Sequence, residues 1–158
     1  MNLTCQTLSI RIQYTIIIFG TNKLLKKMNI TNNSNCTFCK SFEENLCHLF
    51  FDCQQVRDIW NKLETWIFET TGKIITIGIK DVIFGILSQN SYDTNIIISL
   101  TKQYISLKRY NKQQPHFTEL KTYIVKYCII KKKNFTNYDN KHNLNKTGIL
   151  TKLSMNNE

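Results

Sequence analysis

"CTFCKSFEENLCHLFFDC", residues 36–53, holds four of the chain's six cysteines and one of its three histidines. Three readings compete for it: a disulfide cluster, a metal site, and small buried cysteines that fall close together by chance. The spacing is Cys36-x2-Cys39-x8-His48-x4-Cys53. Two cysteines separated by two residues can turn both sulfurs toward one point. A second pair returned by a short loop completes a tetrahedron, the geometry that Zn²⁺ adopts with thiolate and imidazole. Cys47 adjoins His48 and competes with it for the fourth place, the loser packing or lying exposed. Four protein ligands leave no open position, so the zinc expected here is structural and carries no hydrolytic chemistry. "HLFF" supplies only a few apolar anchors, whereas a structural zinc contributes roughly 10–16 kcal/mol of apparent binding free energy. Folding of the segment is therefore expected to depend on metal.

The disulfide reading needs an oxidising compartment. The even cysteine count and triplets such as Asn29-Ile30-Thr31 and Asn35-Cys36-Thr37 keep it open, but such triplets arise by chance in a chain rich in Asn and Thr. The N-terminus lacks the order of basic start, apolar stretch and small-residue cleavage site of a signal peptide. The apolar run from Tyr14 to Phe19 is far shorter than the roughly 20 residues a membrane span requires. The expectation is an intracellular protein with no membrane partner. Cys5 and Cys128, in apolar surroundings, read as core residues; His116 and His142 read as solvated.

Around the cluster the pattern is helical. Residues 11–30 form two short elements broken near Gly20, with Thr21 or Asn22 able to cap the second. Val56, Ile59, Trp60, Leu63, Trp66 and Ile67 recur at three- and four-residue spacing, a stripe ending between Thr70 and Gly72. A β-branched stretch, "KIITIGIKDVIFGIL", then carries Asp81 as a cap for a short turn. In "DTNIIISLTKQYISLKRY", Ile97, Leu100, Tyr104 and Leu107 face the core while Lys102 and Arg109 share another face. Pro115 separates this helix from the last one, "FTELKTYIVKYCIIKKKNF". From Asn134 the chain is Asn/Lys-rich, weakly periodic and read as disordered. The fold class is thus mainly α: a small zinc-stabilised loop or hairpin of CCHC type, several helices and a disordered basic tail. The segments are 1–30 (N-terminal helical), 31–69 (zinc module and following helix), 70–133 (C-terminal helical) and 134–158 (tail). A length of 158 residues with 42% hydrophobic content suits one ordinary core.

The formal net charge of +10 is uneven, +1 over residues 1–100 and +9 over 101–158. A one-sided basic excess favours nucleic acid as partner. Lys102, Lys108, Arg109, Lys121, Lys126, Lys131, Lys132 and Lys133 are the candidate phosphate contacts. Tyr104, Tyr110, Tyr123 and Tyr127 lie near them and could stack on unpaired bases, although at helical spacing tyrosines are more often core.

The pair "C-x2-C", an acidic patch, "HLFFDC" and a Trp seven residues later resemble the reverse transcriptase zinc-binding domain at the C-terminal end of the long open reading frame of LINE-type retrotransposons. "RIQYTIIIFGTNKLLKKMNI" is similar to the segment that the family places upstream. "DVIFGI", "NIIISLTKQYISLKRY" and "QQPHF" resemble its downstream helices, so the likeness reaches approximately residues 11–125. The cluster is longer than the retroviral zinc knuckle, C-x2-C-x4-H-x4-C. The resemblance implies Cys36, Cys39, His48 and Cys53 as ligands, which favours His48 over Cys47. It also implies an accessory role, helping a parent polymerase engage RNA template or target DNA.

No catalytic function is expected. A polymerase needs paired aspartates for two metal ions, and this chain has no adjacent aspartates, no Walker loop and no Ser/His/Asp arrangement. A redox role for Cys36 and Cys39 lacks the strand-then-helix context of such sites. The alternative to nucleic-acid binding is a scaffold in which the zinc site and the Trp60/Trp66 helix dock a polymerase core.

Overall fold

The computed structural model describes residues 20–88, 91–136 and 148–155, all without a regular strand. Asn22–Lys27 forms α1, preceded by Thr21, whose side chain accepts from the Leu24 N–H and so caps it. Asn35 and Glu43 then make a single antiparallel bridge, with Cys36 N–H donating to the Phe42 carbonyl at 2.7 Å and Glu44 N–H to the Ser34 carbonyl at 2.8 Å. The expected loop or hairpin is this one-bridge closure.

A π-helical turn, His48–Asp52, leads directly into α2, Gln54–Thr71. The predicted stripe is buried throughout: Val56, Ile59, Trp60, Leu63, Trp66 and Ile67 all face inward. Trp60 also donates its indole N–H to the Phe50 carbonyl at 2.7 Å, which satisfies the one polar atom it brings into the core. Gly72 ends α2 at φ 69°; a Cβ there would meet no atom within 4 Å, so the left-handed backbone alone calls for glycine.

The β-branched stretch forms α3, Ile79–Phe84, and Asp81 accepts from the Gly78 N–H at 2.9 Å. Next come α4, Tyr92–Tyr110, and α5, Phe117–Thr136. Ile97, Leu100 and Tyr104 are buried as expected, but Leu107 is half exposed near the C-terminal end of α4. The tyrosine hydroxyl of Tyr104 donates to the His116 carbonyl and accepts the His116 N–H, pinning the α4–α5 connection.

Part of the expected disordered tail is ordered. Ile149–Met155 forms α6, packed on α2, α4 and α5, with Ile149, Leu150 and Leu153 buried. Three apolar side chains on one face are enough to hold two turns against an existing core, a signal too short to stand out among the surrounding Asn and Lys residues. Residues 137–147 and 156–158, with the first helical segment read from residues 11–19, lie outside the described residues. The buried side chains form one cluster running from Cys36 to Leu153. Leu153→Ala should therefore destabilise the whole domain, by about 2–5 kcal/mol, read as a lowered midpoint in urea unfolding.

Candidate metal centre

Cys36, Cys39, His48 and Cys53 converge, their ligand atoms all within 4.8 Å of one another. Cys36 Sγ and Cys53 Sγ are 3.9 Å apart, and Cys39 Sγ is 3.3 Å from His48 Nε2. An ion about 2.3 Å from each sulfur in a tetrahedral shell spaces the sulfurs about 3.8 Å apart, so the donor set fits zinc. The cysteines are free thiols rather than disulfides among the described residues. Of the two neighbours, His48 is buried and joins the cluster, while Cys47 is exposed and lies outside it.

The π-helical turn explains the His48-x4-Cys53 spacing. Cys53 N–H donates to the His48 carbonyl at 2.9 Å, a five-residue ring in place of the four-residue step of an α-helix. In an α-helix, residues five apart point about 140° away from one another. The wider ring brings both onto one side. Asn45 holds the start of the turn by accepting the His48 N–H at 2.8 Å. The other half of the site is the tight turn after Cys36, where the Lys40 N–H donates to the Cys36 carbonyl at 3.0 Å with Lys40 at φ 62°.

The two buried sulfurs share their protons unequally. A hydrogen bond with Cys53 and then burial push the Cys36 thiol well above the ordinary range. The same bond from Cys36 holds Cys53 below it, helped by the first N–H groups of α2 at Gln55 and Val56. The Phe38 N–H also points at Cys36 Sγ, 3.4 Å away, as backbone donors do around metal thiolates. A bound cation would hold both sulfurs as thiolates.

Glu44, which the sequence offered only as part of an acidic patch with Glu43, organises the surroundings. It is fully buried and accepts from the Asn22 N–H (3.0 Å), the Thr37 N–H (2.8 Å) and Arg109 Nε (2.7 Å). Burial pushes its carboxyl up, but the two backbone N–H groups and the guanidinium outweigh that and hold it below the usual value. Arg109 continues to the Gly20 carbonyl (2.9 Å) and Asn22 Oδ1 (3.2 Å). One carboxylate thus ties α1, the metal loop and α4 together.

This network corrects part of the expected phosphate surface. The face of α4 that Lys102 and Arg109 share is turned inward: Arg109 is committed to Glu44, and Lys102 is 95% buried, its amine pulled down to about 8 by desolvation. Lys108 pairs with Glu119 and lies over the Tyr104 ring, and Lys121 lies over the Trp66 ring. Lys126 is exposed. Lys131, Lys132 and Lys133 continue α5, and their side chains lie outside the described residues. Of the tyrosines, Tyr104 is core, Tyr123 and Tyr127 pack partly against it, and Tyr110 is exposed. Cys128 is buried and His116 exposed, as read from the sequence; Cys5 and His142 fall outside the described residues.

Replacing Cys47 with Ser is expected to leave one bound zinc per chain, measured by metal analysis of the purified protein, because its sulfur takes no part in the cluster.

Residues 17–60 match the family model described as zinc-binding in reverse transcriptase. The match takes in all four candidate ligands and ends at Trp60, the indole that closes the π-helical turn onto α2. No curated protein and no solved structure matches the chain. Among the described residues no helix is long and apolar enough to cross a membrane.

Proposed function

Proceeding from that match, we propose that the chain is a zinc-stabilised accessory module of a LINE-type reverse transcriptase, binding RNA or DNA chiefly through phosphates and having no polymerase activity of its own. The observation that carries it is the convergence of three sulfurs and one imidazole within the matched segment. Zinc, when bound, supplies a fixed charge centre that cross-links the loop; it has no open position for substrate. The protein's own part is to hold that shape. Glu44 and Arg109 fix the loop against α1 and α4, so the metal orders a surface larger than the loop itself.

Phosphate contacts release counterions, so affinity should fall steeply with salt and depend little on sequence. The test is zinc content together with filter binding of RNA and DNA across a salt series. One equivalent of zinc and a steep salt dependence support the reading; retention indifferent to salt would remove the phosphate-contact model.

Docking onto a polymerase core is the second reading. Trp60 and Trp66 do not serve it, because both are buried within the domain. It rests instead on Ile74, Phe84 and Leu87, three strongly exposed apolar side chains in one short stretch around α3. Salt-independent association with a polymerase core, without retention of nucleic acid, would favour it.

A further inference from the structure

The charge of the molecule is not balanced evenly once its internal ion pairs are set aside. At the end built from α1, the metal loop and the α4–α5 connection, Lys23 pairs with Glu43 at 2.6 Å, Arg109 with Glu44, and Lys108 with Glu119. Lys26, Lys27, Lys40 and Lys112 remain, all exposed and without an ion pair among the described residues. Asp52 is the one acid of these segments left unpaired there. Elsewhere, several acids are engaged by the fold itself: Glu64 accepts the Ile77 N–H, Asp81 caps α3 and Asp93 accepts the Leu150 N–H.

These segments are fastened to one another. Asn22 Nδ2 donates to the Asn35 carbonyl at 2.7 Å, Asn35 Nδ2 donates to the Lys40 carbonyl at 3.0 Å, and Gln114 Nε2 reaches the Phe38 carbonyl at 3.2 Å. The four lysines therefore belong to one connected end of the fold. Two aromatic rings are exposed on the same segments, Phe42 at 65% and Tyr110 at 73%. Phe42 is braced, its ring 5.7 Å from that of His48. A phenylalanine held open to solvent against a metal ligand is a stacking platform that needs no sequence-specific hydrogen bonds.

We propose that this end binds single-stranded nucleic acid, with Lys26, Lys27, Lys40 and Lys112 on phosphates and Phe42 under an unpaired base. The proposal deepens the nucleic-acid reading above and rests on it. It moves the surface away from the C-terminal lysines and places it beside the metal cluster, because the Phe42 ring rests against that of His48.

The experiment is fluorescence anisotropy of the zinc-loaded chain with oligo-U, oligo-dT and a duplex of equal length, over a salt series. Each single-stranded phosphate contact adds about 0.7 to the slope of log K against log salt, so changing the four lysines to Gln should lower that slope by about 3. Phe42→Ala should weaken both single strands about tenfold and leave the duplex unchanged, and Phe42→Tyr should restore binding. The oligo-U and oligo-dT arms decide between RNA and DNA. These side chains are exposed, and zinc content verifies that each variant is folded. If a control set, Lys62, Lys73 and Lys80 to Gln, removes the binding while the four-lysine variant keeps it, the placement is wrong and the function stands. If the unaltered chain binds none of the three probes, both fall.

Discussion

Cys36→Ser is expected to release the metal and unfold residues 31–47 while leaving α2 in place. Cys36 is fully buried at the crossing of the loop, its thiol hydrogen-bonded to Cys53 Sγ, and its carbonyl closes the turn to Lys40. Apart from Cys36 itself and the Glu44 carboxylate, the loop anchors only Phe38 in the core; Leu49, Phe50 and Phe51 belong to the π-helical turn that packs on α2. A structural zinc is worth roughly 10–16 kcal/mol at neutral pH, as much as the roughly 5–15 kcal/mol that holds a whole domain. No rearrangement of one phenylalanine replaces that. Hydrogen exchange should show fast amides over 31–47 and retained protection in α2, and metal analysis should find less than a tenth of the original zinc. Thiols must lose protons to bind, so zinc retention in the unaltered chain should also weaken from neutral to mildly acidic pH. Retained protection across 31–47 in metal-free protein would refute the dependence.

Glu44→Gln should cost roughly 3–5 kcal/mol in urea unfolding, because it strands the largely buried Arg109 guanidinium among neutral groups. Arg109→Met should also be destabilising, leaving the Glu44 carboxylate with its hydrogen-bond donors at Asn22 and Thr37 but no counter-charge. The double variant should recover part of the loss, and the cycle measures the coupling. The pH dependence follows from the direction of the Glu44 shift. Its folded pKa lies below the unfolded value of about 4.3, so its contribution is complete above that value and is lost as pH falls through the folded pKa. Glu44→Gln should remove this portion of the acid sensitivity. Equal acid profiles for the two proteins would exclude Glu44 as the titrating group.

The candidate cluster was legible in part because spacing restricts it: C-x2-C turns tightly in any setting and a nearby His and Cys leave few partners, although spacing left Cys47 and His48 open and only the family resemblance favoured His48. The long helices were legible because α2 buries every member of its stripe. Glu44 was not, since its partners lie at residues 22, 37 and 109 and no local pattern announces a carboxylate that will meet them. The same blindness placed Lys102 and Arg109 on the surface. A charge seven residues from another marks a shared face, but periodicity does not say which way that face turns. "HLFFD" reads equally as one turn of α-helix, and the Cys53 to His48 hydrogen bond marks the wider turn.

That bond makes one interval of the sequence incompressible. Between Lys40 and Phe42 the chain is an exposed bend, where an inserted residue lengthens the outline of a loop and leaves the Asn35–Glu43 bridge, Glu44 and His48 where they are. Between His48 and Cys53 every residue is a rung of the turn. Losing one would rotate the imidazole off the sulfurs as surely as mutating it, with all four ligands still present in the text of the gene.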